Sequence, residues 1–531
     1  MAEITIIVLL LFGVVFLRIL SNRFRFALPI ALVLGGVAIS LIPGLPVIEL
    51  RPDVVFLMFL PPLLYEAAWK TGWREFRSNI KPISTAAIGL VIITTVVVGA
   101  AAYYLIPDIG WPTAFLIGAI VSPPDAIAAT AITKGLGLHP RIVSILEGES
   151  LVNDASGLVA YKYALVAATV GNFVFWKAGL NFVVIALAGI GVGLAIGFLM
   201  MKVHRRFAGD PIMEASFSLL TPFASYLFAE HFHFSGVLAV VTTGLFLSFR
   251  SSEIFSHQGR ITAYAVWEVA GFVLNGLVFV LIGLQLRQVL AGISDYPVGT
   301  LLLYGLGISL VVILVRFLFA YPAVYLPRLI SRRLRVHPFD ARNVVVFGWA
   351  GMRGVVSMAA ALALPLTLPD GSPFPHRNLI LYITFSVILF TLVLLGLSLP
   401  WVIRRMKMPP FSVAAEEYTV RTQLMTRMIT HIEENLSLMQ DDVLHNIKSK
   451  YEVKYNRLQK TDLPANYFAN GRLVNGNIFN EYTQLQIDLI NVERTSLRQM
   501  HLAGESSEAV VRKLEHELDL EETRLKMEIY N

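Results

Sequence analysis

Polar and acidic side chains are concentrated in one short stretch of an apolar segment, residues 147–154, with the sequence EGESLVND. Residues four apart share a helix face, so Ser150 and Asp154 would present a hydroxyl and a carboxylate to one point, with Glu149 and Asn153 beside them. Oxygen ligands of this kind suit a hard cation such as Na+. Burial disfavours a charged carboxylate, whereas a bound cation favours it. Asp154 is therefore expected to hold either a proton or a metal ion, but not both well.

Two interruptions of other apolar segments also carry charges. Residues 122–125, Ser-Pro-Pro-Asp, contain two prolines that remove two backbone donors and break the helix. Broken helix ends leave free carbonyls and amides, which together with the Asp125 carboxylate again suit a hard cation. Residues 351–354, Gly-Met-Arg-Gly, interrupt a later segment. Arg353 stays protonated, so we expect it to pair with acidic groups such as Glu149 and to hold the site together.

Other charges within the apolar segments have less specific interpretations. Ionisable groups in a membrane cost at least about 2.5–3.5 kcal/mol each, so they are functional candidates by default. Glu66 follows a Leu-Pro-Pro run, and it either joins the site, lies at its mouth or is structural. Arg316 is expected to pair internally with a carboxylate or a helix C-terminus. Glu214 lies near the end of its segment, and we expect it to be solvated.

Long apolar segments must position these residues. Of the 531 residues, 56% are hydrophobic and 15% are charged, and the sequence has no cysteine. This composition excludes an ordinary soluble enzyme and a disordered chain. A helix of about 20 apolar residues crosses a bilayer. The sequence predicts an all-α polytopic membrane protein with about thirteen such segments: 3–20, 27–43, 53–69, 82–107, 111–133, 142–170, 178–201, 211–230, 234–249, 264–291, 298–327, 343–366 and 378–403.

The placement of basic residues predicts the orientation. Lys and Arg follow the odd-numbered segments 22 times and the even-numbered segments four times. Because basic loops stay in the cytoplasm, we expect a multi-pass protein of the cell (inner) membrane, with its N-terminus outside and its tail in the cytoplasm. An odd number of segments is needed for this arrangement, so the two predictions agree. Topology accounts for the net charge of +6 without a nucleic-acid partner.

Thirteen segments divide into six, one and six, and the single linker inverts the second group. This predicts a six-plus-six inverted repeat, common in secondary transporters, whose site lies near the midplane on interrupted helices. Both interruptions lie in the fifth helix of their group, which predicts crossed discontinuous helices rather than a pair of ordinary kinks. The linker has a small-residue face that we interpret as packing rather than a dimer contact, formed by Gly189, Gly193 and Gly197.

The composition becomes that of a soluble protein after residue 410, so we divide the chain into a transmembrane domain, 1–405, and a helical cytoplasmic tail, 406–531. Amphipathic helices are predicted over 414–460 and 478–530. The first helix has an apolar stripe formed by Leu424, Met428, Ile432, Leu436 and Met439. The second has a weaker, mixed stripe that is rich in charge, formed by Val510, Leu514, Leu518, Glu521 and Leu525. A hairpin that packs on itself or on a dimer mate is favoured over a regulator-binding segment. We expect no cofactor, because the tail has no nucleotide or metal motif.

Three classes of function use intramembrane carboxylates. An antiporter would exchange a proton for Na+, or for Li+ or K+, at one carboxylate. An intramembrane aspartyl protease would need Asp125 and Asp154 to share a water, but a Gly-x-Gly-Asp pattern is absent and Arg353 would be unexplained. A cation channel would need rings of acidic residues from several subunits. The residues favour the antiporter, a secondary transporter and not an enzyme, with a K+/H+ antiporter of the same fold as the alternative.

Residues 1–405 resemble the bacterial, NhaP-like sodium/proton antiporters of the first monovalent cation:proton antiporter family. The resemblance is carried by FLPPLLYEAAW (59–69), SPPDAIAATAI (122–132), EGESLVNDASGLVAY (147–161), LVFVLIGLQL (277–286) and GWAGMRGVVSMAAALALP (348–365). It implies a thirteen-helix inverted repeat, normally a homodimer, in which a core part carries the ion and moves like an elevator against a scaffold.

The resemblance also implies roles for individual residues. The main carboxylate for cation and proton would be Asp154. The cation- and proton-binding group would be Asp154, Asp125, Ser150, Glu66 and Pro124, with transported Na+ held by the first three. The site-organising residues would be Asn153, Glu149 and Arg353. The Asn-Asp pair is associated with electroneutral exchange of one Na+ for one H+. One departure is Pro124, where some relatives have Thr, so that position offers only a backbone carbonyl.

Overall fold

The computed structural model describes most of the chain. The described residues are 2–24, 27–42, 55–133, 136, 138–170, 175–207, 209–293, 296–330, 341–368, 371–407, 413–435, 448–449, 451–452 and 476–530. The chain folds into two compact units. Unit 1 comprises residues 1–207, 213–254 and 265–410, and unit 2 comprises residues 208–212, 255–264 and 411–531.

The described residues are helical, with no β-strand among them and one isolated β-bridge between Thr367 and Pro373. Two short π-helical segments, Val55–Phe59 and Thr85–Leu90, precede longer helices. The helices are α1 Ala2–Phe24, α2 Leu28–Ser40, α3 Leu60–Lys70, α4 Trp73–Ser78, α5 Ile80–Ser84, α6 Val91–Leu105, α7 Trp111–Val121, α8 Ala126–Thr133, α9 Pro140–Val170, α10 Phe175–Arg206, α11 Pro211–His231, α12 Gly236–Phe249, α13 Ser251–Ile254, α14 His257–Leu284, α15 Leu286–Ala291, α16 Val298–Ile330, α17 Arg342–Trp349, α18 Val355–Leu362, α19 Arg377–Arg405, α20 Val413–Asn435, α21 Gly476–Ala503 and α22 Glu508–Tyr530.

Many of these helices have the length and composition of membrane spans. Six described stretches are long and apolar enough to cross a bilayer: Ile80–Leu105, Val183–Arg206, Pro211–His231, His257–Ala291, Val298–Ala323 and Arg377–Arg405. Three shorter apolar helices are α2, α7 and α12. The 31-residue α9, which carries the EGESLVND stretch, has enough length to cross as well. The prediction of an all-α fold with several apolar helices of membrane-spanning length is therefore confirmed for the described residues, whereas the count of thirteen and the inverted repeat stay predictions.

Both predicted helix breaks are present. The chain leaves helical geometry between α7 and α8, at residues 122–125, and again between α17 and α18, at residues 350–354. The first break follows from Pro123 and Pro124, which cannot donate to the carbonyls one turn earlier. The second break is rich in glycine, the residue that costs a helix most after proline. The sequence prediction of two discontinuous helices is confirmed at these positions.

The glycine face of α10 packs within the same chain, as predicted. A Cβ on Gly189 or Gly193 would come within 2.7 Å of backbone oxygens of Ser235 and Ala239, at or next to the start of α12. The Thr243 hydroxyl of α12 donates to the Gly193 carbonyl at 2.9 Å. Glycine is therefore required here because the two helix backbones approach closely.

Unit 2 has its own core, formed mainly by α20, α21 and α22. The predicted apolar stripes supply it, since Leu424, Met428 and Ile432 are buried, as are Val510, Leu514, Leu518 and Leu525. Leu436 and Met439 lie outside the described residues. The prediction of one helix over 478–530 is wrong, because α21 ends at Ala503 and α22 begins at Glu508. Gly504 adopts φ +96°, and the Glu505 amide donates to the Met500 carbonyl, which is a glycine-capped helix end.

Candidate functional site

The centre of α9 is joined to the first helix break by a side chain. Asn153 is fully buried, and its Nδ2 donates to the carbonyl oxygen of Pro124 at 3.0 Å. Its Oδ1 has no hydrogen-bond partner within the described part of the chain. The break frees the Pro124 carbonyl from helical bonding, which makes it available to a side chain of a neighbouring helix. Asn153 therefore holds the backbone immediately before Asp125.

The two breaks lie directly against each other. The backbone amide of Asp125 donates to the carbonyl oxygen of Met352 at 2.7 Å. A Cβ on Gly354 would overlap the Asp125 carboxylate, so only glycine leaves room for that side chain. Backbone groups released by one break thus bond to groups released by the other. The two discontinuous helices are therefore in direct contact at their breaks, whereas their crossing stays a prediction.

Asp154 and Asp125 directly follow Asn153 and Pro124, which are hydrogen-bonded to each other at 3.0 Å, so the two carboxylates belong to one region. Asp154 is the fifteenth of the 31 residues of α9, and its exposed fraction is 7%. Asp125 is half-buried at the end of the first break. Ser150 is half-buried one turn before Asp154, on the same face of α9. The structure therefore brings Asp154, Asp125 and the Pro124 backbone to one region, with Ser150 on the adjoining turn.

The predicted pairing of Glu149 with Arg353 is wrong. Glu149 accepts two hydrogen bonds from Arg316, from Nη1 at 2.8 Å and from Nη2 at 2.9 Å. Both side chains are buried, and the Nε of Arg316 donates to the Phe347 carbonyl at 3.0 Å. The guanidinium thus donates through its two terminal nitrogens to a carboxylate and through Nε to a carbonyl near the end of α17, so that all three nitrogens are hydrogen-bonded. The expectation of an internal partner for Arg316 is confirmed.

Arg353 is bonded to backbone instead. Its Nε donates to the Val121 carbonyl at 2.8 Å, and its Nη1 donates to the Gly351 carbonyl at 2.6 Å. Val121 is the last residue of α7, where the carbonyls carry the negative end of the helix dipole. Because both helices are interrupted here, their free carbonyls supply the acceptors that a carboxylate was expected to provide. Arg353 therefore joins the two breaks, although its partner differs from the one predicted.

Glu66 has a separate set of contacts. It accepts a hydrogen bond from Lys70 one turn later on α3, and its carboxylate lies against Gly271 of α14, where a Cβ would overlap it. These contacts include none of the other predicted site residues. The expectation that Glu214 is solvated is wrong, since this residue is fully buried.

Sequence reasoning missed one residue that contacts the breaks. Thr391 lies on α19, is fully buried, and accepts a hydrogen bond from the Arg353 backbone amide at 3.1 Å. The sequence signal is weak, because a single Thr in an apolar helix usually bonds to its own helix. Thr391 does that too, through a 2.7 Å bond to the Val387 carbonyl. Only the fold reveals its second bond.

The arrangement fits a small dehydrated cation. Two carboxylates, a nearby hydroxyl and backbone carbonyls freed by the break are oxygen donors, and oxygen donors suit hard cations. Arg316 and Glu149 neutralise each other, and the remaining positive charge of Arg353 balances only one of the two carboxylates, Asp125 and Asp154. The region can therefore carry negative charge that a proton or a cation would compensate.

Comparison with known proteins agrees with these features. The family model for the transmembrane part of the sodium/hydrogen exchanger matches residues 6–405. A protein of Mycobacterium tuberculosis named as an uncharacterized Na(+)/H(+) exchanger is 33% identical over 98% of this chain and 96% of its own length. The sodium, potassium, lithium and rubidium/H(+) antiporter of Bacillus subtilis is 35% identical over 75% of this chain and 61% of its own length.

Among solved structures, the chain is similar to the sodium proton antiporter MjNhaP1 from Methanocaldococcus jannaschii. The TM-score is 0.61, and the match covers 77% of this chain and 98% of that structure. The two sequences are 19% identical, so this likeness concerns the fold.

Proposed function

Because this chain belongs to the sodium/hydrogen exchanger family, whose members are transporters, we propose that it exchanges Na+ for H+ across the membrane at Asp154. The observation that carries the proposal is the position of the buried Asp154 beside the two helix breaks, where Asn153 bonds to the Pro124 carbonyl and the Asp125 amide bonds to the Met352 carbonyl. A protease would need a water activated between these two carboxylates. Membership of a transporter family argues against that alternative.

The proposed cycle uses competition at one carboxylate. Asp154 binds Na+ when it is ionised, and it releases the ion when it takes up a proton, because one carboxylate cannot satisfy both at once. Asp125, the Ser150 hydroxyl and the remaining lone pair of the Pro124 carbonyl complete the cation ligands. Asn153, Glu149 and Arg353 hold the backbone and helices around them. Glu66 serves the entrance to the site rather than the bound ion.

Cation selectivity is proposed on the same grounds. Carbonyl and carboxylate oxygens accept Na+ and Li+, and a relative is named for transport of potassium and rubidium as well. We favour Na+, with K+ as the second candidate. We also propose a homodimer in the cell (inner) membrane, with the N-terminus outside and the tail in the cytoplasm. The tail is available to a regulator in this orientation.

The test is a cation series in proteoliposomes. The purified protein is reconstituted with a pH-sensitive dye inside vesicles that have an acidic interior, and Na+, Li+ or K+ is added outside. The proposal expects Na+ to make the interior more alkaline, whereas liposomes without protein stay acidic. The absence of a cation-dependent pH change with the wild-type protein would contradict the proposed function. A larger response to K+ than to Na+ would assign the protein to the K+/H+ alternative.

A further inference from the structure

A single peptide group connects both helix breaks to α19. The peptide between Met352 and Arg353 uses its carbonyl to accept from the Asp125 amide at 2.7 Å, and its amide donates to the Thr391 hydroxyl oxygen at 3.1 Å. The carbonyl and the amide belong to one planar unit, so neither can rotate without the other. Any change in the bond to Thr391 is therefore transmitted to Asp125.

The Thr391 hydroxyl is held in a fixed orientation. Its hydrogen is directed to the Val387 carbonyl at 2.7 Å, which leaves the oxygen lone pairs to accept from the Arg353 amide. Thr391 is fully buried on α19, a 29-residue helix that provides a rigid support. The Arg353 amide lies in the non-helical break, and without the hydroxyl it would lose this acceptor in a region closed to water.

Asp125 has little freedom to adjust independently of this peptide. Its carboxylate lies against Gly354, two residues after Met352, so closely that a Cβ there would overlap it. The Asp125 amide and carboxylate thus both contact the segment 352–354. A rotation of the 352–353 peptide would displace the carboxylate relative to Asp154.

We infer that Thr391 is a positioning residue for cation binding, which fixes the 352–353 peptide and through it the Asp125 carboxylate. The inference rests on the proposed function, because it requires Asp125 to bind the transported cation. It assigns Thr391 an effect on the affinity for Na+ rather than on folding alone. A hydroxyl that only stabilises the helix packing would change thermal stability and leave the affinity for Na+ unchanged.

The chain offers a matched control on the same helix. Thr384 lies seven residues before Thr391, is also fully buried, and its hydroxyl has no hydrogen-bond partner among the described residues. Seven residues are close to two helical turns, so the two threonines share one face of α19. Thr384→Val and Thr391→Val remove the same atom and add the same methyl group. They differ in whether the hydroxyl bonds to the break.

The experiment uses the full-length protein in proteoliposomes and measures the KM for Na+ and the maximal rate separately. Because Thr391→Val leaves a buried amide without its acceptor, we expect the KM for Na+ to rise about five- to tenfold. Thr391→Ser retains the hydroxyl and should stay within about twofold of wild type, as should Thr384→Val. The Na+ concentration that gives half of the Na+-induced rise in Tm should increase by the same factor as KM.

Each other outcome has a defined meaning. A wild-type KM in a folded Thr391→Val protein would overturn the inference, as would an equal rise in KM for Thr384→Val. If Thr391→Val does not insert, Thr391→Ala removes the same hydroxyl with a smaller side chain, and it must give the rise in KM. If the wild-type protein itself moves no protons in response to Na+, the proposed function fails, whereas a fully active wild type with an unchanged Thr391→Val overturns the inference alone.

Discussion

At the scale of single residues, the proposed exchange requires one carboxylate that alternates between a protonated state and a cation-bound state. Asp154 is 7% exposed at the centre of α9, and Asp125 lies near enough to add negative charge. The neighbouring Asn153 donates a hydrogen bond to the Pro124 carbonyl, and its amide side chain has no ionisable proton. In the proposed cycle, Asp154 is the group whose charge the transported ion and the proton compensate in turn.

Substitution of Asp154 by Asn should abolish exchange while the protein stays folded. The amide keeps the side-chain volume, but it neither takes up a proton nor carries the charge that a cation compensates. Asp108→Asn is the matched control, because Asp108 is exposed at φ +60° in a turn, where Asn is tolerated equally well. Na+-driven proton flux that persists in inserted Asp154→Asn protein would remove Asp154 as the carrier.

The Glu149–Arg316 pair is expected to be structural and strongly coupled. Removing one partner of a buried ion pair leaves an uncompensated charge and costs roughly 3–5 kcal/mol. Arg316→Ala should therefore lower the thermal midpoint far more than Arg287→Ala, whose side chain is exposed. Arg316→Lys should recover only part of the loss, because an ammonium cannot repeat the two-nitrogen fork. Thermal unfolding of Arg316→Ala equal to that of Arg287→Ala would contradict this assignment.

At the scale of elements, local chemistry in the sequence was sufficient to predict the breaks. Pro123 and Pro124 cannot continue a helix wherever they lie, and the same applies in weaker form to two glycines within four residues. The partner of Glu149 could not be predicted, because Arg316 and Arg353 are equally good donors in sequence and only the packing of α16 against α17 selects one. The bond from Arg353 to Thr391 likewise depends on tertiary contact between elements 38 residues apart.

Closely packed breaks should not accept a side chain at Gly354. Gly354→Ala would place a methyl group onto the Asp125 carboxylate, so either the breaks separate or Asp125 turns away. We expect exchange to fall at least about tenfold, since displacement of a reacting group by about 1 Å can cost about a hundredfold. Gly299→Ala is the control, because a Cβ at that helical glycine has nothing within 4 Å. Both variants are compared by their proton flux under a fixed Na+ gradient. Wild-type flux in Gly354→Ala would show that the Asp125 carboxylate does not need to lie against residue 354.

At the scale of the whole molecule, the second unit is a folded part in its own right and contains more than the tail. Asp519 of α22 accepts hydrogen bonds from Arg494 at 2.9 Å and from the Nε of Arg260 at 2.9 Å, and its exposed side-chain fraction is 3%. Arg260 lies on the first turns of α14, which this unit includes. Truncation after residue 405 would therefore remove the carboxylate partner of the buried Arg260.

Asp519→Ala should lower the local stability of unit 2, although its apolar core stays intact. The buried Arg260 and the half-buried Arg494 would lose a shared carboxylate, with a cost of roughly 3–5 kcal/mol for the broken buried pair. Amide hydrogen exchange on the full-length protein should show faster exchange in α21 and α22 than in wild type. Glu505→Ala breaks the 3.0 Å ion pair between Glu505 and Arg427, in which each side chain is 41% exposed. Because exposed pairs contribute little stability, this variant should change the amide exchange little. Equal protection in Asp519→Ala and wild type would mean that the buried pair contributes no net stability.

Charge balance is the property of the whole transport cycle that the site predicts. If Asp154 alone alternates between Na+ and H+, one positive charge moves in each direction, and Asn153 adds no second carrier. Exchange should then be electroneutral, and a membrane potential should neither drive nor slow it. A charge that crosses the full membrane gains about 2.3 kcal/mol per 100 mV, so net charge movement would be easily detected. The measurement is Na+ flux in proteoliposomes with and without a potassium diffusion potential set by valinomycin, at fixed pH and Na+ gradients. A flux driven by the potential would contradict the single-carboxylate cycle and would require a second titrating group. Asp125→Asn and Glu66→Gln would then identify that group, because the variant that lacks it should lose its response to the potential.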